Sequence, residues 1–205
     1  YSLTLKNYSH ENKLKFVEAG DRIQAYVNGT HKITQYQETV GEEFSIEGQA
    51  GQDTIALDVL IENLGRVNYG YKLNSPTQSK GIRGGIMQDI HFQQGYTHYP
   101  LELTAEQLEK IDYEAGENSE QPSFYKVMFN LEELSDTFID CSTYGKGVVF
   151  VNGTNLGRYW QNGPIHTLYY PKEFLQKGAN EVVIFETEGV EITELSFSAA
   201  PIVKK

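Results

Sequence analysis

Apolar and polar positions alternate along most of the chain with a period of two, the signature of half-buried β-strands, and the strands are divided by Gly, Asn and Asp. Ser2 to Leu5 reads as an opening strand. In Arg22 to Val27 the apolar Ile23, Ala25 and Val27 share one face, and Asn28-Gly29 follows as a two-residue hairpin turn. Ile55, Leu57, Val59 and Ile61 alternate in the same way, as do Val127 and Phe129 later. Val148 to Val151 and Val182 to Phe185 are apolar on both faces, which predicts central strands between two covered surfaces.

Helical signals are few. Thr104 with Gln107 makes a capping box, and Leu103, Leu108 and Ile111 supply a short apolar stripe, so a short helix is predicted around 105 to 111. The polar run Glu114 to Pro122 reads as a loop, and Pro171 opens a further helical turn that ends before Gly178.

The pentapeptide Tyr26-Val27-Asn28-Gly29-Thr30 recurs as Phe150-Val151-Asn152-Gly153-Thr154, each followed about 30 residues later by an apolar strand. Two similar β-sandwiches in tandem account for this repeat. The boundary is placed near residue 98, where Tyr99-Pro100 breaks the pattern, giving a first sandwich over 1–98 and a second over 99–205. The predicted class is all-β.

A length of 205 residues accommodates two such domains with real cores. With 17 Lys+Arg against 28 Asp+Glu the formal charge is -11. That balance, with no basic stripe, argues against a nucleic-acid partner. No apolar run approaches a bilayer span, so no membrane partner is expected. The chain opens on Tyr1 and directly on a strand, as a fragment of something longer would. The single Cys141 leaves the fold independent of disulfides, which fits a bacterial or cytosolic protein and is compatible with a secreted or cell-surface one.

Catalytic motifs are missing: G-x-S-x-G, H-E-x-x-H, C-x-x-C and the P-loop do not occur. His10, His31, His91, His98 and His166 are scattered singly and read as surface or structural residues. Gly81 to Gly85 reads as turn or bulge chemistry, no acidic loop has calcium-ligand spacing, and neither metal nor cofactor is expected. The acidic residues are dispersed and read as solvated surface. Sugar recognition needs aromatic faces beside planar polar groups, and two segments supply them. Asn63 to Tyr71 sets Arg66, Asn68, Tyr69 and Tyr71 in a glycine-bounded loop after a strand. Asn155 to Pro164 holds Arg158, Tyr159 and the only tryptophan, Trp160, which is read as a core or domain-interface anchor in preference to a sugar platform.

Five ordered segments, Leu57 to Gly70 (LDVLIENLGRVNYG), Pro76 to Gly84 (PTQSKGIRG), Gly145 to Trp160 (GKGVVFVNGTNLGRYW), Gly163 to Pro171 (GPIHTLYYP) and Gly178 to Gly189 (GANEVVIFETEG), resemble the C-terminal part of the glycoside hydrolase family 35 β-galactosidases, of bacterial type. The resemblance implies two galactose-binding-like jelly-roll sandwiches that follow a catalytic (β/α)8 barrel. It implies a parent enzyme that hydrolyses terminal β-D-galactose with retention, using two glutamates carried by the barrel. This chain alone is then not an enzyme. Ile61-Glu62-Asn63-Leu64-Gly65 superficially matches a barrel motif, yet Leu64 stands where the acid/base glutamate would. By the same resemblance Tyr69 is the aromatic that reaches the galactoside pocket, Arg66 and Asn68 hold its loop, and Trp160 with Arg158 and Tyr159 packs the second sandwich. The partners implied are the barrel and galactosides, the latter bound weakly in isolation; a stand-alone galactoside-binding module is the alternative.

Overall fold

The computed structural model describes residues 1–8, 11–48, 50–114 and 120–203; His10 and most of the loop read over 114 to 122 lie outside them. The chain divides into two compact units, Tyr1–Pro100 and Leu101–Lys205. Among the described residues no helix is long and apolar enough to cross a membrane.

The first unit contains β1 (Ser2–Lys6), β2 (Asn12–Gly20), β3 (Arg22–Val27), β4 (Thr30–Tyr36), β5 (Phe44–Ile46), β6 (Thr54–Glu62), β7 (Gly81–Gln88) and β8 (His91–Phe92). They form two antiparallel sheets with strand orders β1-β6-β3-β4 and β5-β2-β7-β8. Leu3, Leu5, Ile23, Ala25, Ile55, Leu57 and Val59 come from the first sheet, and Leu14, Phe16, Ile46 and Ile86 from the second; they make one buried core. The alternation read from the sequence is the cause, since period two puts every second residue of β1, β3 and β6 on the inner face. Each of the larger side chains among them, Phe16 and the leucines, isoleucines and valine, stabilises the unit by about 1.5–3 kcal/mol when taken fully out of water, before entropy is counted.

The second unit contains α1 (Ala105–Glu109), β9 (Ser123–Leu131), β10 (Thr137–Asp140), β11 (Lys146–Val151), β12 (Thr154–Trp160), β13 (Thr167–Tyr170), β14 (Gly178–Glu186) and β15 (Ser196–Ser198). Its sheets run β12-β11-β14-β9 and β13-β10-β15. Val149, Val151, Val182 and Ile184 face Ile139 and Tyr170 across the sandwich. Phe150 and Val183 point the other way, onto Leu108 of α1 with Leu103 and Ile111 beside it. That second cover is why β11 and β14 are apolar on both faces, and both are the inner strands of their sheet. Thr104 and Gln107 close both halves of the capping box, and α1 ends at Glu109, two residues short of the expected 111, with Lys110 as its C-cap. The turn after Pro171 is a 3-10 helix over Lys172–Phe174.

The pentapeptide repeat is a structural equivalence. Asn28 and Gly29 have φ of 49° and 79°, and Asn152 and Gly153 have 46° and 77°, the left-handed pair that a tight hairpin turn between twisted strands requires. The Asn28 Oδ1 accepts from the Ala56 N–H at 2.9 Å, and the Asn152 Oδ1 accepts from the Glu181 N–H at 2.9 Å. Each turn is thereby stitched to the strand on its far side. A register shift also falls at matching places, between Ala25 and Tyr26 and between Val149 and Phe150. Asn152→Gly should keep the turn and lose the side-chain bonds to Glu181, Phe174 and Asn180, costing about 1–2 kcal/mol in urea unfolding. Asn152→Ala should cost more, because alanine resists a positive φ.

The equivalence extends to the buried cations. Arg22 lies opposite Tyr36 and Lys146 opposite Trp160, in register on β3/β4 and β11/β12. The Arg22 guanidinium carbon is 5.9 Å from the Tyr36 ring centroid, and the Lys146 ammonium is 5.2 Å from that of Trp160. Arg22 is 1% exposed and Lys146 2%. A cation held on an aromatic face while it is shielded from water is thus built twice, with arginine on tyrosine in one unit and lysine on tryptophan in the other.

Candidate functional site

The segment between β6 and β7 holds Arg66, Asn68, Tyr69 and Tyr71. Its only regular structure is the 3-10 turn Pro76–Gln78, capped by the Ser75 hydroxyl. Tyr69 is 90% exposed and Tyr71 95%, and Leu64, Val67 and Leu73 are exposed on the same stretch. Arg66 and Asn68 are exposed too. Five apolar or aromatic side chains facing water within ten residues is a concentration that scattered surface hydrophobics do not explain.

The loop is firmly rooted. Asp21 sits where the chain passes from β2 in one sheet to β3 in the other. Its Oδ2 accepts from the Leu64 N–H at 2.9 Å, and Lys80 Nζ donates to Oδ1 at 2.6 Å and to Oδ2 at 2.8 Å. One carboxylate therefore pins both ends of the segment from 64 to 80. Arg83 adds a second tie, its Nη1 donating to the Pro76 carbonyl at 3.1 Å and its Nε to that of Glu18 at 3.2 Å. Within the loop the Gly65 N–H donates to the Asn63 side chain, Leu73 N–H to Gly70 and Ser75 N–H to Lys72. The tip is presented and its stem is fixed.

The acidic residues around the stem correct the expectation that carboxylates only solvate the surface. Asp21 is buried, and Glu62 accepts from Arg22 Nη1 at 3.3 Å. Glu62 is thus engaged in a structural ion pair, which agrees with reading its motif as a sandwich element. The third exception is Glu186 in the second unit, which is 0% exposed. Gly147 lies opposite Tyr159 on one side and Glu186 on the other. Lacking a side chain, Gly147 lets the Tyr159 hydroxyl pass over it and donate to Glu186 Oε2 at 2.7 Å. A Cβ at 147 would collide with that hydroxyl and with the Phe185 carbonyl. Glu186 also accepts from the N–H groups of Gly145 at 3.1 Å, Lys146 at 3.2 Å and Glu188 at 2.7 Å. Burial pushes the Glu186 carboxyl above its ordinary value while these donors oppose it, and burial beside Glu186 raises the Tyr159 phenol strongly.

Trp160 belongs to the second unit and Tyr69 to the first. The Trp160 ring is half-buried with Lys146 against it, while Arg158 is exposed. Cys141 is buried and free, and desolvation lifts its thiol to about 12, so it is an inert core residue. Among the described residues no group of three or more His, Cys, Asp or Glu side chains is placed to hold a metal ion. Asp21 lies outside the five family-like segments, and Lys80 and Glu186, though inside two of them, belong to no catalytic motif that would single them out.

The family model of the β-galactosidase first all-beta domain matches residues 1–102, and that of the β-galactosidase galactose-binding domain matches 122–180. Beta-galactosidase 1 of Dictyostelium discoideum is 32% identical over 90% of this chain and 30% of its own length. Beta-galactosidase 17 of Arabidopsis thaliana is 32% identical over 92% of this chain and 30% of its own. The human beta-galactosidase-1-like protein 3 is 36% identical over 84% and 27%. The chain thus spans less than a third of the length of these relatives. It belongs to the β-galactosidase family.

Proposed function

We propose that this chain is the non-catalytic β-sandwich portion of a β-galactosidase, and that the loop bearing Tyr69 docks on the catalytic barrel and shapes the rim of its active site. The parent enzyme hydrolyses terminal non-reducing β-D-galactose from β-galactosides with retention. The observation that carries the reading is the rooted loop: a run of exposed Leu64, Val67, Tyr69, Tyr71 and Leu73 held at both ends by Asp21. Apolar side chains fixed in that way are organised for a surface that this chain does not supply. Tyr69 contributes an aromatic wall to the galactoside pocket, Arg66 and Asn68 set the tip around it, and Trp160 works inside its own unit on Lys146.

Separated from the barrel, Tyr69 has no opposing wall, so galactose binds at this loop with millimolar affinity or weaker, a small ligand needing a concave site. The chain should give no turnover of a chromogenic β-galactoside; hydrolysis that survives stringent purification would overturn the reading. Tyr69→Ala should leave the chain's own stability within about 0.5 kcal/mol, because the side chain touches little. The same substitution in the parent enzyme should lower kcat/KM about tenfold or more.

A further inference from the structure

The chain is acidic, with a formal charge of -11, yet residues 63–88 include no Asp or Glu and carry Arg66, Lys72, Lys80 and Arg83. All 28 carboxylates of the side chains lie elsewhere. The four cations are not equivalent. Lys80 is neutralised by Asp21, whose two oxygens accept from it at 2.6 and 2.8 Å. Arg83 donates to the carbonyls of Pro76 and Glu18, uncharged acceptors that leave its own charge in place. Lys72 lies over the Tyr71 ring at 5.7 Å, a face that attracts an ammonium without cancelling its charge. Arg66 and Lys72 are exposed, and among the described residues neither has an ion-pair partner. In a chain with so large an excess of carboxylates, a presented loop that excludes them is organised for negative charge supplied from outside the chain.

We infer that the surface receiving this loop is acidic as well as apolar, with carboxylates that meet Arg66 and Lys72 where Leu64, Val67, Tyr69, Tyr71 and Leu73 are covered. The inference rests on the docking reading and adds the chemistry of the partner, a protein face, which in the parent enzyme is the barrel's. Two features favour a protein face over other anions. A nucleic acid or an anionic bilayer is an extended polyanion, and it would be repelled by the negative charge of the rest of the chain. A protein face of limited extent meets the local charge alone. The stem fixed at Asp21 also presents the loop in one geometry, which suits a surface of fixed shape. Attraction between the charges then steers the approach and sets the register, while the apolar side chains supply the contact area.

The parent enzyme, assayed on an uncharged chromogenic β-galactoside between about 20 and 500 mM NaCl, tests the charge apart from the shape of the loop, because screening shortens from about 20 Å to about 4 Å over that range. Lys72→Glu should lower kcat/KM about fivefold or more at the low end and recover most of that loss at the high end. Lys72→Gln, which removes the charge without reversing it, should lose less and respond less to salt. Arg66→Glu and Arg66→Gln make the same pair, and the difference between Glu and Gln at one position sets aside whatever Arg66 does for the form of the tip. In the isolated chain all four exposed substitutions should leave the urea midpoint almost unchanged, which shows that the fold is intact. The inference is overturned if the Glu and Gln variants behave alike at every salt concentration. Should Tyr69→Ala then still lower kcat/KM, docking stands without the charge; should it have no effect, the docking reading fails as well. Salt-sensitive retention of the isolated chain on phosphatidylserine vesicles, abolished by Lys72→Glu, would also overturn the inference and assign the cations to a membrane surface.

Discussion

Glu186→Ala is expected to destabilise the unit Leu101–Lys205 by about 3–5 kcal/mol, enough to remove its cooperative unfolding transition or bring it close to ambient temperature. The carboxylate has zero exposure and satisfies the N–H groups of Gly145, Lys146 and Glu188 together with the Tyr159 hydroxyl. Alanine leaves all four donors without their acceptor in a space closed to bulk water, and each orphaned donor costs about 1–3 kcal/mol, offset where the strand relaxes or a water enters. Tyr159→Phe removes one donor and leaves the acceptor satisfied by three others, so about 1–2 kcal/mol is expected. Urea unfolding followed by signals assigned to each unit would measure the series. Equal losses from Glu186→Ala and Tyr159→Phe would show that the three backbone bonds contribute nothing.

The same group sets a pH dependence. Burial raises the folded-state value of Glu186 above 4.5, so between 4.5 and that raised value the folded chain holds the proton more tightly than the unfolded chain does. Stability contributed by this group is therefore fullest below 4.5 and declines as pH rises through the window. The stability of wild type relative to Glu186→Gln should accordingly fall with increasing pH above 4.5, the comparison removing the other carboxylates. A difference that grows with pH would mean that the four donors outweigh burial.

Most of the sandwich architecture was legible because it rests on local pattern. Period-two alternation named β3 and β6, double-faced apolar runs named β11 and β14 as central, and the Asn-Gly repeat gave the hairpins whose turns coincide to within a few degrees of φ. The capping box found α1, though not its end, since the apolar stripe continues through Ile111 after the helical hydrogen bonds stop. What escaped depends on register between distant strands. The double-faced apolar run before Glu186 predicts a buried strand but gives no partner for a carboxylate at its end; that comes from lying opposite a glycine across which a tyrosine reaches. The corresponding position in the first unit is the hydrophobic Ile61, which lies opposite Ile23 as Glu186 lies opposite Gly147. Sequence leaves Trp160 open between an anchor and a platform, because the contact of Lys146 with its ring is made across strands. The loop at Tyr69 is legible as a set of residue types, while its fastening comes from Asp21, 43 residues before Leu64 in sequence.

That fastening gives the second large effect, Asp21→Ala, expected to cost the unit Tyr1–Pro100 about 2–4 kcal/mol. Asp21 is buried, whereas the Lys80 side chain is about a quarter exposed, so the ion pair is weaker than a fully buried one and the loss comes partly from the Leu64 N–H, left without an acceptor. Asp21→Asn separates the two contributions: the amide oxygen still accepts from Leu64 and the charge pairing with Lys80 is lost, so about 1–2 kcal/mol is expected. Because both ends of the segment from 64 to 80 close on this one side chain, amide exchange in that segment should accelerate with Asp21→Ala by more than the global loss explains, while β3 and β6 exchange only as global stability dictates. Uniform acceleration across the unit would mean that Asp21 supports the sandwich as a whole and that the loop is held by its own turns. Selective release of the loop would make Asp21 the residue that keeps Tyr69 in place, and in the parent enzyme Asp21→Ala should then reproduce the kcat/KM loss of Tyr69→Ala without touching the tyrosine.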